Sequence, residues 1–300
     1  MKKVVLAYSG GLDTSVAVAW LREQFGVDVV TLTVDVGGGS LRRGVEARAI
    51  AAGASRAYVV DARKTFVRDF CWPSLQANAR YQGVYPLATA LARPLIAQLL
   101  VEVAQKEGAD AVAHGCTGKG NDQVRFDVAV HALDPALEVV APMRVGMGLS
   151  RDQSIDYAAA RGIELPITKA SPYSIDVNMW GRSCETGVLE DPWTAPPADA
   201  YAWTVAAADA PAAVDLVLGF EGGVPVSLDG ERLDPDLARD DALRAGDVAP
   251  QVAVERAEPQ AVVGELGQLV GHVAVEAERV LGERQGFERA VRRLEDRGGR

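Results

Sequence analysis

Apolar residues follow two rhythms over the first half of the chain. A short apolar run over residues 3–8, Lys3-Val4-Val5-Leu6-Ala7-Tyr8, closes on Gly10-Gly11, and the spacing then turns helical through Val16, Val18, Ala19, Trp20 and Leu21. A second strand pattern covers 27–36 and ends in Gly37-Gly38-Gly39. A helical segment follows over 42–52, then a third strand at Ala57-Tyr58-Val59-Val60. Next come a long helical stretch over 88–106, a strand over 110–114 and a glycine-rich loop, Gly115-Cys116-Thr117-Gly118-Lys119-Gly120. A strand pattern over 137–140 and a helix over 151–161, with Ser150 as its N-cap, complete this half. Strands alternating with helices predict βαβ units, since parallel neighbours need a crossover of about a dozen residues. The fold class expected is α/β, with a parallel-sheet nucleotide-binding domain over residues 1–165.

Near residue 166 this rhythm stops. Pro166, Pro172, Tyr173, Trp180, Pro192, Trp193, Pro196 and Pro197 crowd the next stretch, and a domain boundary is expected there. From 231 to 300 the chain has no Ile, Lys, Met, Tyr, Trp, Cys, Ser, Thr or Asn. Folded domains draw caps and turns from Ser, Thr and Asn, so this tail is expected to be poorly ordered or helical, with an amphipathic helix over 274–294.

Charge narrows the partners. With 31 basic and 41 acidic side chains the formal charge is -10, the wrong sign for tracking a long nucleic acid. Cys71, Cys116 and Cys184 are an odd number and widely spaced, which predicts reduced thiols and neither a zinc knuckle nor a disulfide framework. No apolar run reaches the roughly 20 residues of a membrane span, and the N-terminus reads as a strand, not a signal peptide. A soluble, cytoplasmic protein with no membrane or nucleic-acid partner is expected.

The chemistry begins at Ser9-Gly10-Gly11-Leu12-Asp13-Thr14-Ser15, between the first strand and the first helix. Glycines there let backbone approach a ligand, and amides at a helix start attract phosphate. Hydroxyls of Ser9, Thr14 and Ser15 add donors, while Asp13 calls for a metal ion or for helix amides. The loop has neither the Gly-Lys-Ser/Thr ending of the P-loop nor the three-glycine dinucleotide spacing. Ser-Gly-Gly-x-Asp-Thr-Ser resembles instead the PP-loop of ATP pyrophosphatases, which cleave ATP between the α- and β-phosphates.

Longer motifs select within that superfamily. Ala7-Tyr8-Ser9-Gly10-Gly11-Leu12-Asp13-Thr14-Ser15 is the first. Tyr85-Pro86-Leu87-Ala88-Thr89-Ala90-Leu91-Ala92-Arg93-Pro94 and His114-Gly115-Cys116-Thr117-Gly118-Lys119-Gly120-Asn121-Asp122-Gln123-Val124-Arg125-Phe126 follow. Ser171-Pro172-Tyr173-Ser174-Ile175-Asp176, Trp180-Gly181-Arg182-Ser183 and Gly187-Val188-Leu189-Glu190-Asp191-Pro192-Trp193 continue the series, and Gly219-Phe220-Glu221-Gly222-Gly223-Val224-Pro225-Val226 ends it. Together they resemble the argininosuccinate synthetase family over residues 3 to about 230.

The resemblance implies an AMP-forming carbon–nitrogen ligase of arginine biosynthesis that joins L-citrulline to L-aspartate through citrullyl-AMP. ATP with Mg2+ would be required, in a homotetramer. It assigns ATP to residues 7–15, Val34 and Gly115, and aspartate to Thr117, Asn121 and Asp122. Citrulline falls to Tyr85, Asn121, Arg125, Ser174 and Ser183. Read from the residues alone, Arg125 suits a carboxylate and Asp122 an ammonium group. Asn121-Asp122 also fits a helix cap, Ser174 and Ser183 fit turn residues, Lys119 fits a phosphate contact or a solvated charge, and His114 fits a buried hydrogen-bonded ring better than a catalytic one. His131 and His272 read as structural, and Cys71 and Cys184 as buried small side chains.

Beyond residue 230 the family pattern is not recognisable. Its Gly-Val-Gly-Arg run and the tyrosine completing the citrulline pocket have no counterpart, the last tyrosine being Tyr201, and Glu255 or Glu258 stand as candidates for the pocket glutamate without a surrounding motif. Residues 166–230 therefore read as the start of an incomplete α+β synthetase and multimerisation domain, and the end as frame-shifted or degenerate, which puts tetramer assembly and turnover in doubt. The competing readings are an inactive ATP-binding remnant, or another PP-loop ligase or tRNA thiolase.

Overall fold

The computed structural model describes residues 1–39, 43–118, 120–163, 173–202 and 217–234. Lys119, the boundary expected near 166, the helix expected over 274–294, Glu255, Glu258 and His272 lie outside the described residues.

Five parallel strands form the central sheet: β1 (Lys3–Ala7), β2 (Asp28–Asp35), β3 (Arg56–Asp61), β4 (Ala111–Ala113) and β5 (Glu138–Val140), in the order β3-β2-β1-β4-β5. β1 is the centre. Its Val4, Val5 and Leu6 are fully buried, and such side chains contribute about 1.5–3 kcal/mol each. The pleat splits them: Val4 and Leu6 join a core built with α1 (Leu12–Phe25) and α2 (Val45–Ala51), while Val5 faces the other layer. Gly26, in the left-handed region at φ 62°, ends α1 by donating its amide to the Arg22 carbonyl at 2.9 Å.

After β3 the chain forms α3 (Arg63–Phe66), a π-helical turn over Val67–Cys71 and α4 (Trp72–Gln76). The long α5 (Ala88–Glu107) and α6 (Asp122–Leu133) cover the second face, where Leu100, Ala104, Phe126 and Val130 meet Val5, Val30 and Leu32. α7 (Pro142–Val145) and α8 (Arg151–Ala159) return to the first face, and Ser150 caps α8 as expected, with Gln153 closing a reciprocal capping box.

Beyond the sheet, β6 (Ser174–Val177) and β7 (Arg182–Glu185) make an antiparallel hairpin, and β8 (Leu218–Glu221), β9 (Val224–Leu228) and β10 (Glu231–Arg232) a small antiparallel sheet. The turn between β6 and β7 docks the hairpin. Met179 donates its amide to Val36 at 2.9 Å, Asn178 Nδ2 to the Ala88 carbonyl at 2.7 Å, and Trp180 Nε1 to the Pro86 carbonyl at 2.8 Å. Met179 and Trp180 bury with Phe66, Val67 and Cys71 in a third core. Cys71 is buried as expected. Cys184 is not: it sits half-exposed on β7, because the two-stranded ribbon is covered only in part. Among the described residues no helix is long and apolar enough to cross a membrane.

Candidate functional site: the crevice beyond the first and fourth strands

The sheet order reverses between β1 and β4, and ligands of open parallel sheets bind in the crevice outside the strand ends at such a point. Both glycine-rich loops emerge there, one after β1 and one after β4. They border a cavity of about 860 Å³, a size suited to a small-molecule ligand.

The first loop is held by its own hydroxyls. Ser9 Oγ lies 3.1 Å from Thr14 Oγ1 and accepts from the Gly11 amide at 3.2 Å, and the Ser9 amide donates to Thr14 Oγ1 at 3.3 Å. Behind it, the Tyr8 hydroxyl meets Ser15 Oγ at 2.9 Å, and Thr33 Oγ1 donates to the Tyr8 carbonyl at 2.8 Å. Gly10 turns the chain at φ 71°, a left-handed angle that disfavours a side chain. Gly11 is the N-cap of α1 and, as a glycine, brings no side chain of its own to cap that end. Such an uncapped helix start is one that an anion can satisfy. Asp13 lines the cavity, and burial pushes its carboxyl above the ordinary value, against the opposing charge of Arg151.

The second loop rests on His114, which is buried. Its Nδ1 accepts from the Cys116 amide at 3.3 Å and its Nε2 meets Asp127 Oδ1 at 3.3 Å, so the proton sits on Nε2. The ring stacks on Phe126 at 5.0 Å, and burial lowers its pKa despite Asp127. A neutral imidazole with both nitrogens engaged is a brace, which agrees with the structural reading of this residue. Cys116 borders the cavity, and burial holds its thiol up at about 11, so it stays protonated at neutral pH.

Asn121 occupies the N-cap of α6, yet its side chain makes no capping bond, and it faces the cavity. Asp122 accepts from two guanidiniums, Arg125 at 2.7 Å on one oxygen and Arg93 at 2.8 Å on the other. Burial works against its charge, but Arg93 and Arg125 outweigh that and keep its pKa below the ordinary value. Arg93 also donates to Asp176 of β6, so one half-buried side chain ties α5, α6 and the hairpin together. Across the hairpin, Glu185 lines the same cavity, its pKa raised by burial and by the charges of Asp176 and Asp122.

Of the residues expected at the site, the cavity is lined by Ala7, Tyr8, Ser9, Gly11, Leu12, Asp13, Thr14, Val34, Gly115, Thr117, Asn121, Asp122, Tyr85, Arg125 and Ser174. Gly10, Ser15 and Ser183 do not line it. Gly10 shapes the loop, Ser15 is turned to Tyr8, and Ser183 is buried in β7 with its hydroxyl unpaired. Arg93, Asp176, Glu185 and Arg151 also line the cavity, and the sequence carries no separate signal for a role of theirs. Arg93 and Asp176 stand inside quoted motifs, and that was their only signal.

The chain matches the family described as the arginosuccinate synthase N-terminal HUP domain over residues 3–164, and the arginosuccinate synthase C-terminal domain over 173–257. The second match runs past residue 230, where the recognisable motifs end. An argininosuccinate synthase of Symbiobacterium thermophilum is 59% identical over 235 residues, 78% of this chain and 58% of that protein. That of Gloeobacter violaceus is 58% identical over 234 residues, 77% of this chain and 58% of that protein. A Dehalococcoides mccartyi argininosuccinate synthase is 53% identical over 235 residues, again 58% of its length. The chain thus spans somewhat more than half the length of these relatives. With the N-terminal family matched over more than half of its residues, the chain belongs to the argininosuccinate synthase family.

Proposed function

We propose that this chain carries the adenylation and ligation site of an argininosuccinate synthase, joining L-citrulline and L-aspartate with release of AMP and pyrophosphate from ATP. One observation carries the reading: the Ser9–Thr14 loop and the Asn121–Arg125 segment border one cavity at the switch point of the sheet. A phosphate loop and a paired carboxylate–guanidinium set within one crevice suit a reaction that brings a nucleotide and two amino acids together.

The roles follow from charge. The open start of α1, Gly11 and the Ser9 and Thr14 hydroxyls suit the phosphates of ATP, with Val34 and Gly115 along the nucleotide. Arg125 and Asn121 suit the citrulline carboxylate, with Tyr85 and Ser174 nearby. Asp122 and Thr117 suit the aspartate ammonium. Asp122 is shared between Arg93 and Arg125, so an arriving ammonium group competes with Arg125 for its oxygen. Adenylation converts the ureido oxygen of citrulline into a leaving group, and the protein's contribution is positioning and preorganised charge.

Magnesium fits this donor set. Mg2+ is commonly held by one or two carboxylates together with substrate phosphates, and Asp13 is a buried carboxyl at the loop whose raised pKa a nearby cation relieves. When bound there, the ion neutralises charge on the polyphosphate. We place the ATP-binding unit at residues 1–165 and the start of a synthetase and multimerisation domain at 166–230.

Pyrophosphate release tests the reading. It is expected with ATP and citrulline together and not with ATP alone, with argininosuccinate formed once aspartate is added. ATP binding without citrulline-dependent release would favour the inactive remnant. Asp122→Asn is expected to cut aspartate-dependent ligation by roughly a hundredfold while citrulline-dependent exchange of pyrophosphate into ATP persists, because the lost charge serves the ammonium group. Equal loss of both reactions would remove Asp122 from that role.

A further inference from the structure

We infer that Arg144 of α7, which does not line the cavity, is a positioning residue for the aspartate side of the site: its guanidinium joins the two anchors of the second glycine-rich loop. The inference rests on the proposed reading of Thr117 and Asn121 as aspartate contacts.

The loop leaves β4 at His114 and reaches α6 at Asn121. At its start the Cys116 amide donates to His114 Nδ1, and His114 Nε2 donates to Asp127 Oδ1. At its tip Gln123 Nε2 donates to the Gly118 carbonyl at 2.8 Å and lies 3.5 Å from that of Gly120. Arg144 Nη1 connects these anchors, donating to Asp127 Oδ2 at 2.8 Å and to Gln123 Oε1 at 2.9 Å. Its stem runs along the loop, with Cγ 4.0 Å from the place of a Cβ on Gly118.

Donor and acceptor chemistry fixes what each member does. A guanidinium has donors only, so the Gln123 atom facing Arg144 is the amide oxygen, and the amide nitrogen is thereby turned to the loop carbonyls. Without Arg144 that amide is free to turn over and set its oxygen against the Gly118 carbonyl. Arg144 also occupies the second oxygen of Asp127. Burial works against the Asp127 charge, and the bonds from Arg144 and His114 outweigh it and keep its pKa below the ordinary value.

Neither helix depends on these bonds for its place. α6 is held by Phe126 and Val130 in the second core, and α7 by Met143 and the buried Met147 in the first. Asp122 and Arg125, near the start of α6, pair with each other and with Arg93. What the Arg144 bonds add is the position of the loop between the helices, which carries Thr117 and leads into Asn121.

The test combines steady-state kinetics with mass-spectrometric hydrogen exchange on the full chain, for the parent, Arg144→Met, Arg144→Lys and Gln123→Glu. In Arg144→Met the KM for aspartate is expected to rise about tenfold, while citrulline-dependent exchange of pyrophosphate into ATP stays within about twofold of the parent. Hydrogen exchange over residues 115–118 is expected to quicken several-fold, with the amides of α6 unchanged. Gln123→Glu keeps a partner for Arg144 but cannot donate to Gly118, and is expected to show the same rise in KM. Arg144→Lys offers one charged nitrogen to both acceptors, as Nη1 does, and is expected to stay within about threefold of the parent. A parental aspartate KM in either Arg144→Met or Gln123→Glu, or an equal loss of pyrophosphate exchange, overturns the inference and leaves the proposed function standing. A parent that releases no pyrophosphate with ATP and citrulline overturns the proposed function, and with it the role of Arg144 toward aspartate.

Discussion

Arg93→Met is expected to lower the melting temperature of this chain by about 4–8 °C at neutral pH, and the deficit is expected to close in acid. Methionine keeps the unbranched apolar stem on α5 and removes the charged end, leaving Asp122 and Asp176 without the guanidinium they share. Breaking a buried ion pair by removing one partner costs about 3–5 kcal/mol. Here the side chains of Asp122 and Asp176 are 31% and 33% exposed, so water recovers part of that and about 2 kcal/mol remains. For a domain of this size each kcal/mol corresponds to roughly 2–4 °C.

The pH dependence follows from Asp122. Its folded pKa is depressed below the ordinary 3.8, so its contribution is fully present above that value and is lost as the pH falls through the folded pKa. Without Arg93, burial opposes the charge with only Arg125 left against it, and protonation relieves the variant before the parent. Melting curves of both proteins at pH 7 and near pH 3.5 check this, and a gap of equal size at both would show that Arg93 acts by packing alone. In the ligation assay the same variant is expected to raise KM for aspartate more than for ATP, because Asp122 and the Asp176 strand lose their tie.

How much of this was legible in the sequence depended on how local the signal was. The sheet and both glycine-rich loops could be read because apolar runs and glycine spacing are local, and β1, β2 and β3 fall within a residue or so of the expected limits. The stretch from Arg63 to Gln76 shows no helical period in the sequence, because a π turn and Pro73 break the 3.6-residue repeat into pieces of four or five. The β6–β7 hairpin is equally hidden: Ser-Ile-Asp-Val alternates, but over only four residues, and Arg-Ser-Cys-Glu does not alternate at all. Arg93 is silent in the sequence for another reason. It sits in an apolar helix pattern, and its carboxylate partners lie 29 and 83 residues further along, where no spacing rule reaches. Ser183 shows the converse, a residue named from a motif that the fold turns inward, off the cavity wall.

Gly115→Ala is expected to separate the function of the two loops from the stability of the fold. A Cβ at position 115 would stand 2.9 Å from Thr14 Cγ2, closer than carbon atoms approach. Thr14 cannot simply turn away, since its hydroxyl holds Ser9 through two contacts and its β-branched side chain is stiff. The loops must instead move apart by a fraction of an ångström, at about 1–3 kcal/mol for an overpacked contact. Displacement of that order in a site that works by positioning reduces turnover by up to roughly a hundredfold. Gly26→Ala supplies the contrast. Gly26 has φ 62° and open space around its Cβ position, so alanine there costs about 1 kcal/mol of backbone strain at the end of α1, far from the crevice. Gly26→Ala is therefore expected to melt lower with ATP affinity intact, and Gly115→Ala to lose ATP affinity and citrulline-dependent pyrophosphate release by a factor its melting temperature does not explain. Nucleotide titrations and thermal melts on the two variants decide it: if both lose affinity in proportion to stability, the contact between Gly115 and Thr14 serves only the fold.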